Sequence, residues 1–138
     1  MAFEAPFEDV EKMRPSEGEA LSMTADVAVE AGQVVKLTGN HTVSPSDTDG
    51  EETIGIAVQS VASGDQVTVL GNSARVLFTA GAAVGAGNAV TSYGGTGEEG
   101  EVAPADETGD SIIGYALESA GSAGDTFVGV VDRGGEVN

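Results

Sequence analysis

The segments TIGIAVQSV (residues 53–61) and IIGYALESA (residues 112–120) are two versions of one strand-like pattern. Each has an I-G-x-A core in which large and small residues alternate, and a period of two is typical of a β-strand. Each is followed by a short turn of small residues that ends in Gly-Asp, at Gly64-Asp65 and at Gly124-Asp125. A strand that returns together with its turn predicts a repeated β structure.

The alternation predicts which face of each strand meets the core. We expect the large residues to point into the core, because residues i and i+2 of a strand share a face. The small residues leave a thin opposite face, which another backbone can approach closely. The large set is Ile54, Ile56, Val58, Ile113, Tyr115 and Leu117, and the small set is Gly55, Ala57, Gly114 and Ala116.

The repeat extends well beyond these two strands. LSMTADVAVEAGQVV (residues 21–35) aligns without a gap with VLFTAGAAVGAGNAV (residues 76–90), 55 positions later (76 − 21). The I-G-x-A strand returns 59 positions later (114 − 55), as expected if insertions accumulate in loops, where they cost least. The sequence therefore predicts an all-β fold, a small barrel or sandwich built from two duplicated β units, with unit one at residues 21–75 and unit two at residues 76–131.

Each unit is expected to contain a short first strand, a second strand after an Ala-Gly turn, the I-G-x-A strand and a last strand. Long polar loops are expected at residues 38–52 and 94–111. Between the units, Leu70-Gly71-Asn72-Ser73 suits a type II′ hairpin turn, in which the first central residue has positive φ. The last strand of unit one would then pair with Arg75–Thr79.

The two ends of the chain differ from the repeats in composition. Residues 1–20 contain Phe3, Phe7 and Met13 among acidic residues and prolines. We interpret them as an extended N-terminal arm with apolar anchors that cannot easily join a distant core; a frayed terminus is the alternative. Residues 132–138 are expected to form a flexible tail.

The charge of the chain excludes several classes of partner. It has 23 acidic and 5 basic residues, a formal net charge of −18, so its field repels nucleic acid and anionic membranes. Acidic residues scattered along the chain are typical of proteins adapted to molar salt, where the Debye length is about 3 Å and self-repulsion is screened. An ordinary acidic surface is the alternative. No apolar run approaches a membrane span.

No residue pattern favours catalysis or a cofactor. Cys is absent, which excludes disulfides and cysteine metal sites. His41 is the only histidine, and its polar loop lacks a nucleophile pattern. Asp47 and Asp49 are weak candidates for a cation site. The calcium-loop pattern has a third acidic or Asn ligand before its glycine, whereas Gly50 directly follows Asp49. We expect no enzyme activity, no cofactor and no resident metal.

As an ordered set, the repeated blocks resemble the capsid decoration, or head cement, proteins of tailed viruses of bacteria and archaea. The resemblance covers about Thr24 to Val131. The matching blocks are Thr24-Ala25 to Val29, Ala31-Gly32 and Val35; Ile54-Gly55-Ile56-Ala57; Ala62-Ser63-Gly64-Asp65; Ala86-Gly87-Asn88-Ala89-Val90; and Ile113-Gly114-Tyr115-Ala116. The marked acidity departs from the family and points to a halophilic archaeal host.

The resemblance implies a virion protein on the outer surface of the capsid head. It would form homotrimers at three-fold and quasi-three-fold positions and bridge major capsid protein subunits. The resemblance also makes Phe3, Phe7 and Met13 of the arm candidates for contact with the capsid or another subunit. The competing interpretation is an acidic β-type module on a tail or cell surface that binds a cation or a glycan. That module would be a monomer with metal at Asp47 and Asp49.

Overall fold

The computed structural model describes residues 19–95 and 97–138, in which ten β-strands and no helix are found. Their bounds are β1 Ala20–Ala25, β2 Val34–Gly39, β3 Thr42–Pro45, β4 Gly55–Ala57, β5 Gln66–Leu70, β6 Arg75–Thr79, β7 Ala89–Ser92, β8 Val102–Pro104, β9 Ser111–Ala116 and β10 Thr126–Glu136. The prediction of an all-β fold is confirmed. Of the expected N-terminal arm, only Glu19 and Ala20 lie within the described residues.

The strands form two five-stranded sheets, one from each predicted unit. The first is a closed barrel in the order β1-β3-β2-β4-β5, and the second has the order β6-β10-β9-β7-β8. Every antiparallel pairing of unit one returns in unit two. The pairs β1–β5, β2–β3, β2–β4 and β4–β5 correspond to β6–β10, β7–β8, β7–β9 and β9–β10.

The two sheets differ at one seam. In unit one the barrel is closed by parallel pairing of β1 with β3, where Ala25 lies opposite Val43. The equivalent residues of unit two, Ala80 and Val102, form an isolated parallel bridge. The second sheet is therefore the same barrel, joined at this seam by a single bridge between the end of β6 and the start of β8.

The turns repeat the same hydrogen bonds. The backbone N–H of Gly32 donates to the carbonyl of Ala57 over 2.8 Å, and that of Gly87 donates to the carbonyl of Ala116 over 2.8 Å. Ser60 Oγ accepts from Ala31 N in unit one, as Ser119 Oγ accepts from Ala86 N in unit two. Equivalent backbone bonds at equivalent residues confirm the prediction of two duplicated β units.

The thin face of the I-G-x-A strands lies against a neighbouring strand of the same unit. A Cβ atom added to Gly55 would collide with the backbone carbonyl oxygen of Leu70, and one added to Gly114 would collide with that of Val130. The predicted close backbone approach is thus confirmed, and it occurs inside each sheet, between β4 and β5 and between β9 and β10.

The predicted orientation of the large residues is wrong at several positions. Ala57 and Ala116 are both buried, whereas Val58, Tyr115 and Leu117 are exposed. Barrel diameter grows with strand number, and a five-stranded barrel is narrow. On the I-G-x-A strands Ala57 and Ala116 occupy the interior, beside larger side chains that come from other strands, such as Phe78 and Phe127 in unit two.

Two apolar cores follow from this arrangement. One fills the barrel of unit one and contains Val35, Val43 and Val69. The other is the interior of unit two, where the rings of Phe78 and Phe127 lie 5.6 Å apart. The second core also takes in Val34, Ile56 and Leu70, which lie on strands of the first sheet. Unit one therefore packs the outer face of β2, β4 and β5 against unit two.

The two expected polar loops each contain a strand that the sequence did not signal. These strands are β3 and β8, which are short and have few large apolar residues. Their backbone pairing closes the sheets, so their stability comes from hydrogen-bonded neighbours rather than from their own composition.

The predicted hairpin between the units is wrong. Strand β5 pairs with β1 and β4, and β6 pairs with β10. Ser73, rather than Gly71, has positive φ, at 73°. The N–H of Gly71 donates to the carbonyl of Glu19 over 2.8 Å. This bond ties the connection to the start of β1, so the chain passes from one sheet to the other without turning back.

The end of the chain also differs from expectation. Residues 132–136, expected to begin a flexible tail, continue β10 after a register shift, and Glu136 pairs with Ser111. Gly134 adopts φ 113° within this irregularity. A left-handed residue lets the strand realign with β9, and the N–H of Val137 then donates to the carbonyl of Asp110 over 2.9 Å.

Candidate interaction surfaces

The loop that carries the two candidate cation ligands joins the units to each other. Asp49 Oδ1 accepts a hydrogen bond from the N–H of Gly94 at 2.7 Å. Beside it, the N–H of Gly50 donates to the carbonyl of Ser92 over 3.0 Å, and the carbonyl of Gly50 accepts from Ser111 N over 3.0 Å. Asp49 thus belongs to a set of hydrogen bonds that holds unit one against unit two.

Asp47 has a different set of partners. Lys36 Nζ lies 2.7 Å from Asp47 Oδ1 and 3.2 Å from Glu51 Oε1. The hydrogen bond from Lys36 holds the pKa of Asp47 below its usual range, and the bond to Asp47 raises the pKa of Lys36. Glu51 Oε2 also accepts from the N–H groups of Asp47 and Thr48. The structure gives both candidate carboxylates protein partners, and the sequence analysis missed Lys36.

Within residues 19–95 and 97–138, no three His, Cys, Asp or Glu side chains are grouped so that they could hold a metal ion. His41 lies in the turn between β2 and β3 with φ 52°, and its carbonyl accepts a hydrogen bond from Thr24 N at 2.7 Å. His41 therefore has a structural role in this turn.

An acidic groove of about 360 Å³ lies between the units. Its lining residues are Ala28, Glu30, Ala31, Gly32, Gln33, Thr79, Gly97, Glu99, Gly100 and Glu101. Burial raises the pKa of Glu101, and the neighbouring charges of Glu98 and Glu99 raise that pKa further. Gln33 Nε2 donates to the carbonyl of Glu99 over 3.1 Å. The groove repels anions, and its own carboxylates destabilise one another.

A second groove between the units, of about 370 Å³, is mainly apolar. It is lined by Ala31, Gly32, Ile56, Ala57, Val58, Leu70, Arg75, Val76, Leu77, Thr79 and Thr126. Leu77 lies on β6 and is 53% exposed. This groove opens onto the outside of the second sheet.

The outside of the second sheet carries an exposed apolar surface, which we call the outer face of unit two. It is formed by Leu77, Val128, Val130, Tyr115 and Leu117. The strand register places Leu77 opposite Val128, and Val130 opposite Tyr115. Leu117 is 55% exposed and hydrogen-bonds through its N–H to the carbonyl of Val128. Sequence analysis missed this surface because it assigned Tyr115 and Leu117 to the core.

Phe3, Phe7 and Met13 lie outside the described residues. The chain enters the described fold at the junction between the units, where the N–H of Glu19 donates to the carbonyl of Asn72 over 3.2 Å. In the described part of the chain, no helix is long and apolar enough to span a membrane.

Comparison with protein families shows a match to the family described as phage cement protein, over residues 15–131. Comparison with curated proteins finds no relative that matches the chain. Among solved structures, the N base of head fiber gp8.5 of bacteriophage phi29 is similar, with a TM-score of 0.63 and 22% sequence identity. The similarity covers 87% of this chain and 98% of that one. At this identity the structural likeness concerns the fold.

Proposed function

The chain belongs to the phage cement protein family, a family of structural capsid proteins, and we propose that it decorates the outside of a viral head. There it bridges neighbouring major capsid protein subunits, as a homotrimer at three-fold and quasi-three-fold positions. The observation that carries this proposal is the family match over residues 15–131, most of the chain. Membership in a structural family agrees with the expectation that the protein is not an enzyme.

The geometry of the fold supports a mechanical role. Each sheet is five-stranded, and the units are joined by a shared apolar core and by hydrogen bonds such as the one from Gly94 to Asp49. Regions with many buried contacts and backbone hydrogen bonds have a high free energy of local opening, as a protein under load requires. Many copies on a symmetric shell convert modest individual contacts into a large total stabilisation.

The N-terminal arm supplies the contact with the capsid in this proposal. Phe3, Phe7 and Met13 are apolar anchors, and an extended segment can add a strand to the edge of a capsid protein sheet. The hydrogen bonds between Glu19 and the junction residues Gly71 and Asn72 fix the point from which the arm leaves the β domain.

The charge of −18 supports a halophilic source, which we propose to be an archaeal virus. In molar salt the Debye length is about 3 Å, so self-repulsion among exposed charges is largely screened. The alternative of an acidic cation- or glycan-binding module has less support, because Asp47 and Asp49 each have partners within the protein.

A binding experiment on heads tests the proposal. Heads purified without the protein are mixed with the recombinant chain in high salt and imaged by electron microscopy. We expect added density on the outer surface at three-fold and quasi-three-fold positions, and heads that resist loss of packaged DNA. Density only on the tail, or no density at all, would contradict the proposal.

A further inference from the structure

One cross-strand row of residues is mostly buried in unit one, and its equivalent in unit two is partly exposed. In unit one, β2, β4 and β5 align Val34, Ile56 and Leu70 in a row. The row packs into the core of unit two, where Val34 and Ile56 are buried and Leu70 is half-buried. The equivalent row of unit two is Ala89, Tyr115 and Val130, which the register of β7, β9 and β10 aligns in the same manner. In the described part of the chain this row stays partly exposed, and Tyr115 is 37% exposed.

The neighbouring cross-strand row of unit two is more apolar than the equivalent row of unit one. It contains Leu77, Val128 and Leu117, whose equivalents in unit one are Ser22, Thr68 and Val58. Two apolar residues of unit two thus stand where unit one has hydroxyl side chains. Exposed apolar area raises the free energy of the isolated protein in water, and contiguous patches of this kind mark interaction sites.

The charge at the edge of this surface indicates the chemistry of the partner. Arg75, on β6, is exposed and lies opposite Val130 of β10. No carboxylate of the described residues lies within 4.0 Å of the Arg75 guanidinium. The equivalent residue of unit one is Ala20. An arginine next to an uncharged patch favours a partner that brings carboxylates, and a second copy of this chain carries 23 acidic residues.

We propose that the outer face of unit two is the surface on which one copy of this chain packs against a second copy, with Arg75 paired to a carboxylate of that copy. The inference rests on the homotrimer of the proposed function and assigns a surface to it.

Sedimentation equilibrium in about 3 M NaCl, where charge repulsion is screened, tests the proposal on the full-length chain. The variants are Leu77→Glu and Leu117→Glu, and the matched control is Leu37→Glu, because Leu37 is 55% exposed on β2 of unit one. From about 1 µM to about 1 mM protein, we expect the wild type and the control to self-associate. The two outer-face variants should stay monomeric, with a dissociation constant at least about tenfold higher. Unchanged circular dichroism spectra and Tm values show that the variants fold.

Two results would overturn the proposal. One is a wild type that remains monomeric at about 1 mM; the other is a wild type that associates while Leu77→Glu and Leu117→Glu associate equally well. If a monomeric wild type binds heads and Leu77→Glu does not, the outer face belongs to the capsid contact instead. If removal of residues 1–14 from a monomer makes the face available to an apolar dye, the arm of the same copy covers it. An associating wild type that fails to bind heads would contradict the proposed function and leave this inference standing.

Discussion

Gly114 lies against the backbone carbonyl of Val130, and Gly55 repeats this contact with Leu70 in the other unit. Neither position has room for a Cβ atom, so each strand pair depends on glycine for its spacing. The repeat has kept the same residue at both places because the same two backbones approach each other there. Glycine is therefore required here by packing, not by an unusual φ.

Replacement of either glycine by alanine should destabilise the protein. We expect Gly55→Ala and Gly114→Ala each to lower the free energy of unfolding by about 2–3 kcal/mol, because the strands must move apart. Guanidinium titration measures the change. Gly121→Ala is the matched control, since a Cβ there meets nothing within 4 Å, and it should be neutral or slightly stabilising. Equal effects at Gly114 and Gly121 would show that the close approach does not matter.

The hydrogen bond between Asp49 and Gly94 should contribute to stability without any metal. We expect Asp49→Ala to lower the free energy of unfolding by about 1 kcal/mol, because it removes a charge-assisted bond between the units at an exposed site. Asp49→Asn keeps an oxygen acceptor and should recover much of the loss. Chemical denaturation of the three proteins measures the free energies, and thermal unfolding with and without calcium and a chelator measures the Tm values. A calcium-dependent Tm in the wild type that is lost in Asp49→Asn would favour the cation-binding module instead.

The duplication could be predicted because it rests on local patterns. The I-G-x-A strands, the Gly-Asp turns and the Ala-Gly turns each recur in order, and each corresponds to a repeated contact such as that of Gly32 with Ala57. The period-two pattern also predicted correctly that the side chain of Ile113 is buried in the core. These features depend on neighbouring residues in the chain, so sequence alone carries them.

The outer face of unit two could not be predicted in this way. Ile56 and Tyr115 occupy equivalent positions, yet one is buried by the other unit and one is exposed. The difference in burial depends on how the two units pack against each other. The period-two pattern of a single strand contains no information about that packing. Strands β3 and β8 were missed for a related reason, since backbone pairing with distant strands stabilises them.

The raised pKa of Glu101 predicts a pH-dependent penalty on the folded state. Burial and the charges of Glu98 and Glu99 raise the folded pKa above 4.5, the ordinary value. At pH values between the unfolded pKa and the raised folded pKa, the folded state binds more protons than the unfolded state. The free energy of unfolding therefore falls as pH rises through this range, and it stays lower at higher pH. We therefore expect Glu101→Gln to raise Tm by about 1–3 °C at pH 7 and to have little effect at about pH 4. Glu107→Gln, on an exposed turn, is the control. A stabilisation that is the same at both pH values would contradict this explanation.

The scattered acidity predicts that salt stabilises the protein. We expect Tm to rise by about 10 °C or more between about 0.1 M and 3 M NaCl, because screening removes the repulsion among 23 acidic residues. Differential scanning calorimetry at several concentrations measures the rise. Potassium chloride should act much like sodium chloride if screening is the cause. A Tm that does not change over this range would remove the argument for a halophilic source.

The arm predicts that capsid binding and folding can be separated. Deletion of residues 1–14 removes Phe3, Phe7 and Met13 but keeps Glu19, whose hydrogen bonds to the junction begin the β domain. We expect the truncated chain to melt within about 3 °C of the wild type and to lose binding to heads in a co-sedimentation assay. The double variant Phe3→Ala/Phe7→Ala should lose most of the binding, because buried aromatic anchors dominate an interface. Glu4→Gln/Glu8→Gln, which changes the same segment without removing its apolar anchors, is the control and should bind normally. Full binding by the truncated chain would move the capsid contact from the arm to the β domain.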